Sequence, residues 1–149
     1  MTIGEICNRT VVFAHPDESV REAARRMRSC HVGNLVVVEE GTKGRVPVGI
    51  ITDRDLVLEA LATDRDVDAT KVGDIMTRDP VTIVDSEDLQ QALERMRKHG
   101  IRRLPVVDRG KALVGILTLD DVLELVEEQV SDLVQLVVRE QRRETEVRR

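Results

Sequence analysis

The sequence predicts a mixed α/β (α+β) fold in which two copies of one β-α-β-β-α unit pack together and a C-terminal helix follows. An internal repeat supports this prediction, because Met27 recurs as Met96, 69 residues later. Further along, Gly49 recurs as Gly115, only 66 residues later, so the first copy carries a three-residue insertion within Glu39–Pro47, where a surface loop would tolerate it. Since neither copy can bury its sheet alone, we expect the copies to pack sheet to sheet with quasi-twofold symmetry.

Each copy shows the same order of predicted elements. An extended leading segment precedes a helix that starts with a capping box and carries apolar residues every three or four positions. A continuous β-branched run then predicts a buried strand, and a Gly-containing turn leads to a second strand and a second helix. The landmarks are Val11–Ala14, Ser19 with Glu22, Leu35–Val38, Val48–Ile51 and Thr52 in the first copy, and Val81–Val84, Asp88 with Gln91, Leu104–Val107, Val114–Leu117 and Thr118 in the second. The predicted organisation is a first repeat at 2–61, a linker at 62–70, a second repeat at 71–128 and a C-terminal helical extension at 129–149.

Composition argues against several kinds of partner. A net charge of −5 argues against nucleic acid, whose phosphates require a basic surface, and the single aromatic residue, Phe13, provides no platform for stacked bases. A bound base would therefore lie between aliphatic side chains. Cys7 and Cys30 lack metal-ligand spacing, so no metal site is predicted. With no signal peptide and no apolar run near the roughly 20 residues that cross a bilayer, we expect a cytoplasmic protein without membrane contact.

The end of the sequence predicts a long helix that contributes to a homodimer. No Gly or Pro interrupts the chain from Asp120 to Arg149. Its apolar residues are spaced three, four, three and four apart, which is the a/d pattern of a helix–helix seam. They are Leu123, Val126, Val130, Leu133 and Val137. The alternative is that this stripe packs back on the repeats of its own chain.

Four segments together resemble a pair of cystathionine β-synthase (CBS) domains, also called a Bateman module. They are Gly49–Leu56, Val72–Thr77, Ile101–Asp108 and Gly115–Val122. The resemblance extends over nearly the whole chain to about Glu128, and it is specific because two copies stand in register. It implies a stand-alone regulatory module that is not an enzyme and that signals to a partner protein.

The resemblance also implies a ligand and the residues that bind it. In that family the cleft between the repeats binds AMP, ADP, ATP or S-adenosylmethionine, which would act here as a regulatory ligand rather than an obligatory cofactor. The ribose and nearby phosphate would contact Thr52 and Asp55 in one site, and Thr118 and Asp121 in the other. The leading segments would contact adenine through main-chain and aliphatic groups, and two arginines would bind phosphate. These residues are Val12, Val81, Thr82 and Ile83 for adenine, and Arg102 and Arg103 for phosphate.

Three alternative interpretations stay open at this point. Each Thr-x-x-Asp motif also matches a helix-capping box, and the arginines could be ordinary surface cations. Where the second repeat has Arg102–Arg103, the first has the uncharged pair Gly33–Asn34, which predicts two unequal sites. The whole chain could instead be a structural dimerisation module with no bound nucleotide. A metal-dependent hydrolase using the acidic pairs Asp53/Asp55 or Asp120/Asp121 is a third possibility.

Overall fold

The structure is a computed structural model, and it describes residues 1–148. It contains two sheets with helices and a long C-terminal helix, which confirms the predicted fold class. The helices are α1 (Ile3–Ile6), α2 (Val20–Cys30), α3 (Asp53–Asp55, continuing as a π-helix over Leu56–Leu61), α4 (Val72–Ile75), α5 (Leu89–His99) and α6 (Leu119–Val147). The strands are β1 (Phe13–Ala14), β2 (Asn34–Gly41), β3 (Gly44–Thr52), β4 (Thr77–Arg78), β5 (Ile83–Val84), β6 (Arg103–Val107) and β7 (Leu113–Thr118).

The two sheets repeat one arrangement of strands. The first has the order β1-β2-β3-β4 and the second β5-β6-β7. Each begins with a short leading strand that runs parallel to the buried β-branched strand: β1 pairs with β2, and β5 pairs with β6. The apolar runs Leu35–Val38 and Leu104–Val107 are buried, as predicted for strands covered on both faces.

The long helix of each repeat begins at the predicted residues. Ser19 with Glu22 caps α2, and Asp88 with Gln91 caps α5, each through a reciprocal pair of side-chain hydrogen bonds. The helices end in left-handed conformations, at His31 with φ 54° and at Gly100 with φ 62°. Gly100 then turns the chain directly into β6.

The three-residue insertion in the first repeat forms a hairpin arm, although the sequence suggested a loop. Strands β2 and β3 stay paired out to Gly41 and Gly44, with a register shift between Val37 and Val38. The guanidinium carbon of Arg45 lies 4.3 Å from the centre of the Phe13 ring, which fixes the arm beside β1. The extra residues therefore extend a strand pair whose ladder satisfies their backbone groups.

The short helices α1 and α4 are exchanged between the repeats, because each of them is bonded to the main chain of the other repeat. The first repeat's α1 binds the second sheet, because the backbone N–H of Ile3 donates to the Glu87 carbonyl at 2.8 Å and the N–H of Gly4 donates to the Asp85 carbonyl at 2.8 Å. Conversely, α4 binds the first repeat, and its first residue, Val72, donates from its N–H to the Glu18 carbonyl at 2.8 Å. Strand β4, which follows α4, joins the edge of the first sheet. The repeats are thus interlocked within one compact unit over Met1–Leu117.

A second compact unit begins at Thr118 and consists of helix α6. The helix has 29 residues, which confirms the long uninterrupted helix predicted from the sequence. Among residues 1–148, no helix is both long and apolar enough to cross a membrane.

Candidate ligand-binding site

A cavity of about 390 Å³ lies within the first unit, between the end of β3 and the segments that precede β5 and β6. Four of the residues predicted to bind a ligand line it: Thr52, Val81, Arg102 and Arg103. Thr52 comes from the first repeat, whereas the other three come from the second. Residues that are far apart in the sequence thus share one cavity.

Thr52 occupies the point where β3 ends and α3 begins. Its hydroxyl oxygen accepts a hydrogen bond from the Asp55 N–H at 3.1 Å, and its own N–H donates to Asp55 Oδ2 at 2.8 Å. The motif is therefore a complete capping box, which is the structural role that the sequence left open. A carboxylate offers about four lone-pair directions, so Asp55 keeps acceptor capacity beyond this one bond.

Arg102 and Arg103 lie immediately after the left-handed turn at Gly100, where the chain leaves α5 and enters β6. Gly100 and Ile101 line the cavity beside them. Arginine binds phosphate or carboxylate through two parallel hydrogen bonds, so this end of the cavity suits an anionic group.

The segment that leads into β5 of the second repeat also lines the cavity. Asp79 adopts a left-handed conformation with φ 50°, and its N–H donates to the Val48 carbonyl at 3.2 Å. Pro80 follows, and both residues line the cavity ahead of Val81. Ile50 and Thr77, which are paired across β3 and β4, line the cavity as well. An Asp-Pro dipeptide is a turn signal, but the sequence does not indicate which strand the turn would approach.

An arginine of α5 holds this leading segment in place. Arg95 donates to the Thr82 carbonyl at 3.0 Å and to Glu87 Oε2 at 2.9 Å. The equivalent residue of the first repeat, Arg26, donates to the Phe13 carbonyl and pairs with Glu18 in the same way. Sequence reasoning missed both arginines, because a polar residue on a helix surface reads as solvated.

The remaining predicted residues do not line this cavity, and Asp55 is one of them, although it is hydrogen-bonded to Thr52. Thr82 lines a neighbouring cavity of about 430 Å³, which also contains Arg109 and Lys111. Ile83 is only 1% exposed and pairs with Val106 across β5 and β6, so almost none of the residue is accessible to a ligand. Val12 is half-buried against the first hydrophobic core, and its carbonyl accepts from the Val36 N–H at 3.2 Å.

The second Thr-x-x-Asp motif caps α6 within the second unit. The Thr118 N–H donates to Asp121 Oδ2, and the Asp121 N–H donates to the Thr118 hydroxyl oxygen, both at 3.1 Å. The two motifs thus have the same local geometry.

The first repeat's counterpart of Arg102 has a different surrounding. Gly33 accepts a hydrogen bond from the Asp53 N–H at 2.9 Å, and a Cβ at this glycine would lie 3.1 Å from Asp53 Oδ2. Glycine lets the start of α3 approach the strand closely here. No group of three His, Cys, Asp or Glu side chains within the described part of the chain could hold a metal ion.

Comparison with known proteins accounts for the repeated architecture. The CBS domain family matches residues 3–62 and 72–128. Protein MK0525 of Methanopyrus kandleri is 35% identical over 125 residues, which are 84% of this chain and 62% of that protein, so the chain spans less than two thirds of this relative. An inosine-5'-monophosphate dehydrogenase of Methanocaldococcus jannaschii is 36% identical over 120 residues, which are 80% of this chain but only 22% of the enzyme.

A solved structure matches the fold and sequence together. It is the CBS domain pair of protein MJ0100 in complex with 5'-methylthioadenosine and S-adenosyl-L-methionine, with a TM-score of 0.74 and 29% identity. The alignment covers 87% of this chain and 98% of that chain. With two family matches in one chain and this structural likeness, the protein belongs to the CBS domain family and carries a tandem pair of the domains.

Proposed function

We propose that this chain is a regulatory, non-enzymatic module that binds an adenine nucleotide or S-adenosylmethionine and passes the signal to a partner protein. The observation that carries the proposal is the cavity that joins Thr52 of the first repeat to Val81, Arg102 and Arg103 of the second. Support also comes from the likeness to a CBS pair that was solved with two adenosine compounds.

The walls of the cavity suit a purine base. Ile50, Pro80, Val81 and Ile101 present aliphatic surface, and a flat base between such side chains is stabilised by burial of apolar area and by dispersion. Main-chain groups of the leading segment would supply the hydrogen bonds that distinguish adenine from other bases.

The polar groups suit the rest of a nucleotide. The Thr52 hydroxyl already accepts a bond from Asp55 and still has its own hydrogen to donate, while the unused lone pairs of Asp55 suit the vicinal hydroxyls of a ribose. Arg102 and Arg103 would bind phosphate, and their presence favours AMP, ADP or ATP. Asp79 brings a carboxylate to the same cavity and would favour the positively charged sulfonium of S-adenosylmethionine instead.

Calorimetric titration with AMP, ADP, ATP, S-adenosylmethionine and 5'-methylthioadenosine tests the proposal. We expect binding of at least one compound, and we expect Arg103→Ala to weaken that of the phosphorylated ones. Arg97→Ala, which removes an exposed arginine in the last turn of α5, is the matched control and should leave binding unchanged. The absence of binding by every compound would favour the alternative, a structural dimerisation module with no nucleotide. Turnover of a nucleotide in the presence of magnesium would contradict the non-enzymatic part of the proposal.

A further inference from the structure

Helix α6 carries a stripe of exposed apolar side chains, which we call the α6 seam. Its members are Leu123 (56% exposed), Val126 (44%), Val130 (54%), Leu133 (63%) and Val137 (52%). Their alternating spacing of three and four residues keeps them on one face of the helix over about 21 Å. Glu140 and Glu144 occupy the next two positions of the pattern, so the seam ends there.

The charges on α6 are divided between its two halves. From 119 to 132 the helix has six acidic residues and no basic one: Asp120, Asp121, Glu124, Glu127, Glu128 and Asp132. All of the arginines that the structure describes on α6 and its C-cap lie beyond the seam, at Arg139, Arg142, Arg143 and Arg148. Two such helices side by side in parallel would place acidic half against acidic half, whereas an antiparallel pair places the acidic half against the arginines.

The division of charges selects one register among the antiparallel registers that the apolar pattern allows. In antiparallel coiled coils each residue at position a faces a residue at position d of the other helix. In this register Val130 would face Leu133, Val126 would face Val137, and Leu123 would face Glu140 of the second copy. In that register the acidic start of each helix lies level with the arginines of the other. Asp120 and Arg143 lie beside the seam, whereas Asp121 with Arg142 and Glu124 with Arg139 lie level on the outer faces, so the attraction is between the two halves as a whole. The seam and the charge division thus fit the same partner in the same orientation.

We propose that two copies of this chain associate through an antiparallel pairing of their α6 helices, with Val126 of each copy against Val137 of the other. This inference goes beyond the proposed ligand binding and does not depend on it. Two heptads are short for an isolated helix pair, so we expect a reversible dimer that weakens as salt screens the opposed charges.

Disulfide trapping tests the orientation in the full chain. With Cys7→Ala and Cys30→Ser as background, Val126→Cys and Val137→Cys are prepared as separate chains and oxidised alone and mixed. We expect a covalent dimer only in the mixture, because a disulfide requires Cα atoms about 4.4–6.8 Å apart and the two 126 positions would be about 16 Å apart along the axis. Efficient cross-linking of Val126→Cys with itself would show a parallel pair and overturn the proposal.

Light scattering tests the seam itself. Val130→Glu places a charge in the centre of the seam and should shift the protein to monomer at micromolar concentration. Gln135→Glu adds the same charge on the opposite face of the helix, where the side chain is exposed, and should leave the dimer intact. A monomeric unmodified chain, a Val130→Glu variant that remains dimeric, or equal loss in both variants would each overturn the proposal.

Discussion

Replacing Arg95 with methionine should weaken both folding and ligand binding, while the same change at Arg26 should weaken folding alone. Each arginine donates to a main-chain carbonyl of a leading segment and pairs with a glutamate: Thr82 and Glu87 for Arg95, and the equivalent pair for Arg26. The two sites are matched in exposure, at 36% and 19% for the arginine and glutamate of one pair and 33% and 20% for the other. Of the two leading segments, only the one that Arg95 holds continues into the cavity lined by Arg102 and Arg103.

The expected loss of unfolding free energy follows from the hydrogen bonds that each methionine variant removes. A hydrogen bond to a charged group contributes about 1.5–3 kcal/mol, and partial exposure of the pair lowers that figure, so we expect each methionine variant to lose about 1–2 kcal/mol of unfolding free energy. The glutamate of the second repeat keeps its bond from the Val84 N–H at 2.8 Å, which limits the cost of leaving it without its arginine.

The effect on binding should differ between the variants. Without Arg95 the Thr82 carbonyl is free to move, and with it the Val81 main chain that faces the ligand. We expect the Kd for ATP to rise roughly three- to tenfold, about 0.6–1.4 kcal/mol, for Arg95→Met and to stay unchanged for Arg26→Met. Urea unfolding measures the first quantity and calorimetry the second. Equal losses of affinity in both variants would refute a positioning role and leave only general destabilisation.

Three further predictions concern single side chains. Arg103→Ala should reduce affinity for ATP more than for adenosine, because the arginine is assigned to phosphate; an equal reduction in two calorimetric titrations would contradict that assignment. Asp121→Ala should lower the unfolding free energy by about 1 kcal/mol through loss of the cap on Thr118, and it should weaken nucleotide binding at the second predicted site by about 1.5–3 kcal/mol; a lowered melting temperature with unchanged affinity would leave it a cap only. The Glu40 carboxylate bonded to His15 raises the pKa of that imidazole above its ordinary 6.5, so the stabilisation should be present at low pH and disappear as pH rises through the raised pKa. The stability difference between the unmodified chain and His15→Gln should therefore be largest below pH 6.5 and shrink as the pH rises above it. A constant difference in urea unfolding would show that the pair contributes nothing.

Local patterns predicted the elements of each repeat because their causes lie within a few residues. The capping pair of Ser19 and Glu22, the buried run Leu35–Val38 and the uninterrupted helix after Thr118 all depend on neighbours in the sequence, and all occur as predicted. Such signals need no knowledge of tertiary contacts.

The exchange of α1 and α4 could not be predicted in the same way. The repeat shows that Ile3–Ile6 and Val72–Ile75 are equivalent, but equivalence is the same whether each helix packs on its own sheet or on the other. For the same reason the sequence does not show that Asp79 and Ile101 share a cavity with Thr52, because these residues come together only when the chain folds. The hairpin arm was missed because charged residues at Glu39 and Glu40 resemble a loop, although a strand edge exposed to solvent tolerates them equally well.

The exchange of short helices has a consequence for how a ligand would act. The wall at Asp79–Val81 follows directly from α4 and β4, which are bonded to the first repeat, while Arg103 begins the central strand of the second. A ligand that contacts Thr52 and Arg103 at once would therefore stabilise the pairing of the two repeats and not one repeat alone. At a concentration of 100 times Kd such a ligand adds about 2.7 kcal/mol to the stability of the state that binds it. That free energy favours the arrangement of the two repeats that binds the ligand. A partner protein that contacts both repeats could therefore detect the bound state without touching the ligand.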